Sequence, residues 1–498
     1  MTEEIQKTDQ KSSYRSIFKA TSLFGGVQVY QILIEVIKSK FIAVLLGPLG
    51  VGIQGLYTSG IQMIQQLTSL GLSQSAVRNV AEAHGSGNHQ TVSKTVTALR
   101  RLVWITGILG MLAVIAFSPL LSKSSFGDSL HIWGFVAISV TLLLTQISNG
   151  QKVVLQGTRQ YKYLAKCTAY GVTIGLIVSV PLYYLWGTKA IVPNIIITSI
   201  TTLVLSWYFA NKVPIESTNQ TSKETLLLGK TMLIMGIAMC LTQFLSSANA
   251  YILRSCIRAW GSVEEVGLYT AGFLLMTQYT GLVFQAMGTD FYPRLAAVNK
   301  DNAKCRETMN QQGEVGLLLL GPLMVLCVVF IPVVIRILYS DQFLGVNDYV
   351  IWCALGVIFQ MASWSVSYVF IAKAEAKLFA INEISASTYS LGLNLLGYYV
   401  GGMLGLGISF AVKYLLYMIQ VYVIAKIRYD FSYSKSFLKL LGIEVLLVLI
   451  GILIVSIMPT VYKYILGSIV AIVSICFSCV EMNKRMDLSS ILSKFKRK

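Results

Sequence analysis

The chain of 498 residues is 55% hydrophobic and only 12% charged, with a mean hydropathy of +0.66; a soluble domain is about a quarter charged, so water is excluded as its main solvent. Its formal net charge of +18, from 40 Lys and Arg against 22 Asp and Glu, would suit nucleic acid if the cations shared one face. They lie instead in alternate breaks between apolar runs of about 18 to 28 residues, a positive-inside pattern of helices crossing roughly 30 Å of hydrocarbon, which excludes nucleic acid as partner and a barrel as fold.

Residues 1–17 are polar and charged, and the apolar segment behind them is too long for a signal peptide and lacks a small-residue cleavage site, which leaves the N-terminus in the cytoplasm. Fourteen spans are predicted, near 18–46, 50–72, 102–121, 131–150, 164–185, 190–211, 227–250, 264–290, 313–338, 349–372, 379–400, 404–426, 438–457 and 463–480. The fold class is an all-α membrane protein of about 14 transmembrane helices (12 to 14). An even number returns the C-terminus to the cytoplasm, where Lys494, Lys496, Arg497 and Lys498 face anionic lipid heads.

The first span carries Gly25 and Gly26, which predict a bend or an extension beyond the lipid. Gln28, Gln31, Glu35 and Lys38 follow at spacings of 3, 4 and 3, one stripe of a helix that cannot comfortably face lipid. Two readings stay open. Either Glu35 and Lys38 neutralise each other and lock the helix to its neighbours, or the stripe walls a wet cavity in which Lys38 meets an anion and Glu35 carries a proton. On the second span Thr58, Gln62, Gln65, Gln66 and Ser69 mark another polar face, suited to sugar hydroxyls or to interhelical hydrogen bonds, with Arg78 beyond it.

The seventh span has Gln243, Ser247 and Arg254 on one face, with Arg254 either a cavity cation or an interfacial arginine, and Arg258 read as plain surface. The eighth has Thr277, Gln278, Gln285 and Asp290, then Arg294. Arg78 and Arg294 are positive-inside residues or gate contacts. In the twelfth span Lys413 needs a partner, and Glu383 on the eleventh is the candidate; Glu444 lies within the thirteenth.

Three histidines (His84, His89, His131) fall in loops or at a span end, and no Ser/His/Asp, Cys/His or metal-ligand spacing recurs, so no catalytic or metal residue is assigned and no enzyme is expected. Cys476 and Cys479 form a CxxC inside the last span, read as buried packing. Loops are short, without room for a nucleotide-binding domain, and no GxxxxGK[ST] is present.

One internal repeat emerges: Gly55-Leu56-Tyr57-Thr58-Ser59-Gly60 opens the second span and Gly267-Leu268-Tyr269-Thr270-Ala271-Gly272 the eighth, six spans later. Parallel lobes follow at about 14–213 and 222–430, with an additional helix pair at 436–482 and a basic cytoplasmic tail at 483–498.

The segments FIAVLLGPLGVGIQGLYTSG (41–60), AVRNVAEA (76–83), EEVGLYTAG (264–272), FYPRLAAV (291–298), LYSDQF (338–343) and VFIAKAEAKLFAINEIS (369–385) stand in an order and spacing that resembles the Wzx-type flippases of the polysaccharide transporter family. That family lies within the multidrug/oligosaccharidyl-lipid/polysaccharide exporter superfamily. The likeness covers roughly 16–430 and is strongest to flippases of O-antigen or enterobacterial common antigen units; the thirteenth and fourteenth spans depart from the twelve-helix pattern.

The resemblance implies a V-shaped pair of six-helix bundles around a cationic cavity, moving an undecaprenyl-diphosphate-linked oligosaccharide (O-antigen, enterobacterial common antigen or capsule repeat unit) to the periplasmic leaflet of the inner membrane. Lys38, Lys40 and Arg254 with Gln28, Gln31 and Gln243 would hold the headgroup, Glu35, Glu383 and Lys413 would serve coupling, and Arg78 and Arg294 gating. No cofactor is expected beyond proton or sodium coupling. The expected partners are membrane lipids, a polymerase and other polysaccharide assembly proteins, around a monomer. The rivals are a multidrug and toxin extrusion antiporter of the same superfamily, favoured by buried carboxylates, and a polysaccharide polymerase or ligase, which would need a large external loop.

Overall fold

The computed structural model describes the backbone of residues 2–216 and 218–486. Among these residues there are thirteen α-helices and no strand, as expected where each backbone N–H and C=O must be satisfied within its own segment. They are α1 (Thr2–Thr68), α2 (Leu72–Gly85), α3 (His89–Phe126), α4 (Ile132–Gly157), α5 (Tyr161–Trp186), α6 (Ile191–Ala210), α7 (Ser222–Trp260), α8 (Val263–Ala297), α9 (Asn302–Leu338), α10 (Asn347–Ala372), α11 (Ala376–Tyr429), α12 (Lys435–Ile457) and α13 (Thr460–Met486).

Two of the longest helices are broken. In α1, Gly47 takes φ 61 and ψ −172 ahead of Pro48, and in α11 Gly401 and Gly402 leave the helical region, Gly402 at φ 54. Dividing both there and setting α2 aside leaves fourteen long helical segments, each over one of the predicted spans. Among the described residues, eight helical stretches are long and apolar enough to cross a membrane by length and composition alone. Large apolar side chains such as Leu33, Val44, Trp104, Ile105, Leu112 and Leu120 are exposed, a surface that water would not tolerate in such quantity and lipid would. The chain is a multi-pass, all-α membrane protein.

Three expectations change. α1 runs unbroken through Gly25 and Gly26, so the long first span is an extension and the break falls at Gly47, where positive φ and the following proline interrupt the ladder. The segment after the second span is the short helix α2, whose Leu72, Ala76, Val80 and Ala83 are buried at helical spacing. Cys476 and Cys479 are exposed on α13 rather than packed inside. The Lys494–Lys498 cluster and most of the basic tail lie outside the described residues.

The chain divides into two compact units between Val266 and Gly267. In the first, α3 packs on α4, α4 on α6 and α1 on α5, while α7 packs on α1, α2 and α3. Small residues set these approaches: a Cβ at Gly107 would meet Leu143, and one at Gly150 would meet Val103. Asn88 caps α3 by accepting the Gln90 and Thr91 N–H groups, and Thr221 with Glu224 forms a reciprocal capping box that starts α7. In the second unit α9, α10 and α11 pack together, and α12 and α13 both lie on α9. Its core gathers Phe291, Leu295, Val366, Phe370, Val421 and Phe431.

Candidate functional site

Within the first unit the second half of α1, the α1–α2 turn and helices α2, α4 and α7 enclose a cavity of about 440 Å³. Gln62, Gln65, Gln66 and Ser69 line it from α1, Ser73 and Gln74 from α2, Gln146 and Asn149 from α4, and Cys240, Gln243 and Ser247 from α7. Among the described residues, no Asp, Glu, Lys or Arg lines it. Each amide offers both donors and acceptors without a charge, so the wall can match a ligand whose hydroxyls and amides do the same.

Two glycines close this cavity at the α1–α2 turn. Gly71 has φ +62, and a Cβ there would come within 2.3 Å of the Gly236 carbonyl oxygen of α7; a Cβ on Gly236 would come within 2.1 Å of the Leu70 carbonyl. Backbone meets backbone, which only glycine permits. The Cys240 thiol donates to the Gln66 carbonyl at 3.3 Å, and the buried Gln146 amide donates to Thr106 on α3 at 3.0 Å, which fixes its side chain.

The stripe on the first half of α1 forms as its spacing predicts, but it faces α5. The Gln31 amide donates to Glu35 Oε1 at 3.2 Å, Glu35 lies close enough for Lys38 to feel its charge, and the Lys38 ammonium sits 3.9 Å from where a Gly175 Cβ would be. Tyr30 and Thr173 share a 2.8 Å hydrogen bond on the same seam. Gln28 is exposed, and Glu35, Lys38 and Lys40 are half-buried. The break at Gly47 turns the second half of α1, with its glutamines, toward the cavity instead. None of Lys38, Lys40 and Arg254 lines the cavity. Arg254 is half-buried two turns beyond Ser247 and donates to the Ala250 carbonyl at 3.2 Å.

Arg258 is not plain surface. Its guanidinium occupies the space a Cβ on Gly127 would need, at 2.0 Å, and acts on Asp128 in the α3–α4 turn. Asp128 is held below the usual carboxylate range first by its hydrogen bond with His131, at 2.9 Å, and also by the charge of Arg258. The His131 ring stacks on Phe126 at 3.8 Å. Arg78 is exposed on α2.

In the second unit Arg294 pairs with Asp290 at 2.8 Å and donates to Gln312 at 2.7 Å. Glu383 accepts a 2.5 Å hydrogen bond from the Tyr417 hydroxyl and a longer one from Asn382, whose own oxygen accepts from Gln420 at 2.7 Å. The expected pairing of Lys413 with Glu383 does not form: the Lys413 ammonium lies over the Tyr414 ring, 4.7 Å from its centroid. The cause is register. The glycine break folds α11 back on itself so that Gly397 meets Gly405 and Ser409 donates to Asn394, which puts Tyr417 and Gln420 opposite Glu383 and leaves Lys413 about one to two turns away.

The family described as polysaccharide biosynthesis protein matches residues 5–348. The lipid III flippases of Escherichia coli (strain K12) and Shigella flexneri are each 21% identical to this chain over 412 residues, which span 81% of this chain and 96% of theirs. Among solved structures, an inward-facing multidrug resistance MATE family transporter of the MOP superfamily matches with a TM-score of 0.70 at 14% identity, over 80% of this chain and 94% of its own. Lipid II flippase MurJ in an inward closed conformation matches with a TM-score of 0.69 at 11% identity, over 94% of this chain and 99% of its own. The two structural likenesses show that the chain shares the fold of these solved proteins. The match to the lipid II flippase leaves too few residues uncovered for α12 and α13 both to stand outside it.

Proposed function

This chain belongs to the polysaccharide biosynthesis protein family, and from that premise we propose that it is a flippase that moves an undecaprenyl-diphosphate-linked oligosaccharide across the bacterial inner membrane by alternating access. The observation that carries this reading is the uncharged, amide-lined cavity of the first unit. Glutamine and serine side chains hydrogen-bond sugar hydroxyls in either direction, and a cavity of about 440 Å³ has room for a short run of sugars. A cationic drug would find no carboxylate there, which disfavours the antiporter reading. The names of the lipid III and lipid II flippases among the relatives support the same cargo class.

In this proposal the lobes are 14–213 and 222–430. Lys38, Lys40 and Arg254, with Gln28 and Gln31, meet the diphosphate while Gln243 and the cavity glutamines meet the sugars, and the polyprenyl tail stays in lipid. A diphosphate needs fixed cations in a low-dielectric setting, which helix-embedded lysines supply. Glu35, Glu383 and Lys413 are the coupling candidates for protons or sodium, and Arg78 and Arg294 the gate candidates. Working partners would be the polymerase and other assembly proteins, with both termini cytoplasmic.

Export of the lipid-linked glycan in cells that depend on this protein tests the assignment. Lys38→Ala and Arg254→Ala should each lower export at least several-fold while the protein stays at normal abundance in the membrane. Unchanged export in both variants would remove the headgroup assignment.

A further inference from the structure

Glu444 belongs to no part of the cavity or its polar faces. Among the described residues it is the only buried Asp, Glu, Lys or Arg, with 0% of its surface exposed. It sits in the middle of α12, where that helix packs against α9 and α13. Ser474 and Ser478, one turn apart on α13, donate to its two oxygens at 3.4 Å and 3.1 Å. On the α9 side its carboxyl fills the place of a side chain: a Cβ on Gly321 would come within 2.0 Å of Oε2. The glycine and the two serines thus make a fitted socket for one carboxyl group.

Among the described residues no cation shares the socket. The nearest turns of α9 present Leu317, Leu318, Met324 and Val325, and those of α12 present Leu440, Leu441 and Val448. The charged groups of α9 are far along it, Lys304, Arg306 and Glu307 near its start, Glu314 two turns before Gly321 and Arg336 well beyond, and α10 has only Asp348, in its first turn. On α12 itself Lys435 and Lys439 are exposed, and on α13 the charges are Lys463 at one end and Glu481, Lys484 and Arg485 at the other. Among the described residues, the thiols and phenols of these helices, Cys305, Cys327, Cys353, Cys476, Cys479, Tyr349, Tyr368, Tyr462 and Tyr464, make no hydrogen bond to Glu444, and no Lys, Arg or His pairs with it within 4.0 Å. Two hydroxyls are weak compensation for a full charge in hydrocarbon, whereas a neutral carboxylic acid fits as it stands, accepting from both serines with a hydroxyl to spare.

We propose that Glu444 is a proton-binding site, occupied in the packing described here, and that release of its proton to water loosens α12 and α13 from α9. A separate latch holds the same three helices at one end. Arg485 pairs with Glu314 of α9 at 2.8 Å and with Glu481 at 2.6 Å, and donates to Ser436 at the start of α12 at 2.7 Å. This latch is made of ion pairs at the helix ends, apart from the carboxyl socket in their middle. The pair is therefore pinned at one end and proton-sensitive in the middle.

The test uses the full chain in vesicles of phosphatidylethanolamine and phosphatidylglycerol, read by infrared difference spectroscopy as the pH is raised from weakly acid to strongly alkaline. The wild-type protein should show the carbonyl stretch of a protonated carboxyl at neutral pH and lose it at alkaline pH, and Glu444→Gln should lack that band throughout. Backbone hydrogen exchange in α13, corrected for intrinsic rates, should accelerate several-fold as the band disappears, and do so only in the wild type. A Glu444→Gln spectrum superimposable on wild type at every pH, or α13 exchange with the same pH dependence in both, overturns the proposal. Should that variant fold poorly, Ser474→Ala with Ser478→Ala keeps the carboxyl and must shift the band to higher frequency; an unshifted band overturns the proposal equally.

Discussion

Replacing Gly71 by alanine should unseat the turn that closes the cavity of the first unit. The residue sits at φ +62, where an L side chain costs about 1 to 2 kcal/mol. The new methyl would also lie 2.3 Å from the Gly236 carbonyl oxygen, a backbone atom that no rotamer change can move aside. Forcing a methyl into packed space costs about 1 to 3 kcal/mol more, for a total of about 2 to 5 kcal/mol. Gly87 provides the matched comparison: its φ is +69, and a Cβ there would meet nothing within 4 Å. Gly87→Ala should therefore carry only the backbone cost, about 1 to 2 kcal/mol. Equilibrium unfolding of both full-length variants in the same detergent separates the two contributions, and Gly71→Ala should be the less stable by about 1 to 3 kcal/mol. Equal destabilisation would refute the close approach of α7 to the turn.

The Tyr417 hydroxyl donates to a carboxylate, so Tyr417→Phe should cost about 1.5 to 3 kcal/mol in unfolding free energy. A double-mutant cycle between Lys413 and Glu383 should return a coupling of less than about 0.5 kcal/mol, because α11 folds them out of register; a larger value would contradict the hairpin described here. Asp128 is held low by His131 and Arg258, so its contribution to stability is present above its unfolded value and disappears as pH falls through its lower folded value. Thermal unfolding across that acid range should show a decline that Asp128→Asn abolishes, and an unchanged decline in the variant would count against the clasp at the α3–α4 turn.

The helices were legible in the sequence because hydrocarbon thickness and backbone satisfaction leave few choices, and every predicted span has its helical segment. Half of the cavity was legible too: Gln62, Gln65, Gln66, Ser69, Gln243 and Ser247 stood out as polar residues at helical spacing. Gln146 and Asn149 did not, although the run Gln146-Ile147-Ser148-Asn149-Gly150-Gln151 inside an apolar span was a usable signal. Ser73 and Gln74 were hidden because they sit on α2, which is too short to span and resembles a loop in hydropathy. What could not be read is set by glycine-dependent backbone geometry. The break at Gly47 decides that Lys38 faces α5 while Gln62 faces the cavity, and the break at Gly401 and Gly402 decides which residues of α11 meet. Helical periodicity fixes a face within a segment but carries no phase across such a break. Arg258 was misread for a similar reason, since its partner is the space left by Gly127 rather than a charge at helical spacing.

The most direct measurement is transbilayer movement of a defined lipid-linked oligosaccharide in vesicles containing the purified full-length protein, with an unglycosylated polyprenyl diphosphate and a cationic dye as competing cargoes. The glycosylated lipid should be moved many-fold faster than in protein-free vesicles, and Gln62→Leu with Gln243→Leu should abolish its advantage over the unglycosylated lipid. Movement of the dye in preference to the lipid-linked sugar, or a glycan preference untouched by the two leucines, would contradict a flippase that reads its cargo through the amide-lined cavity.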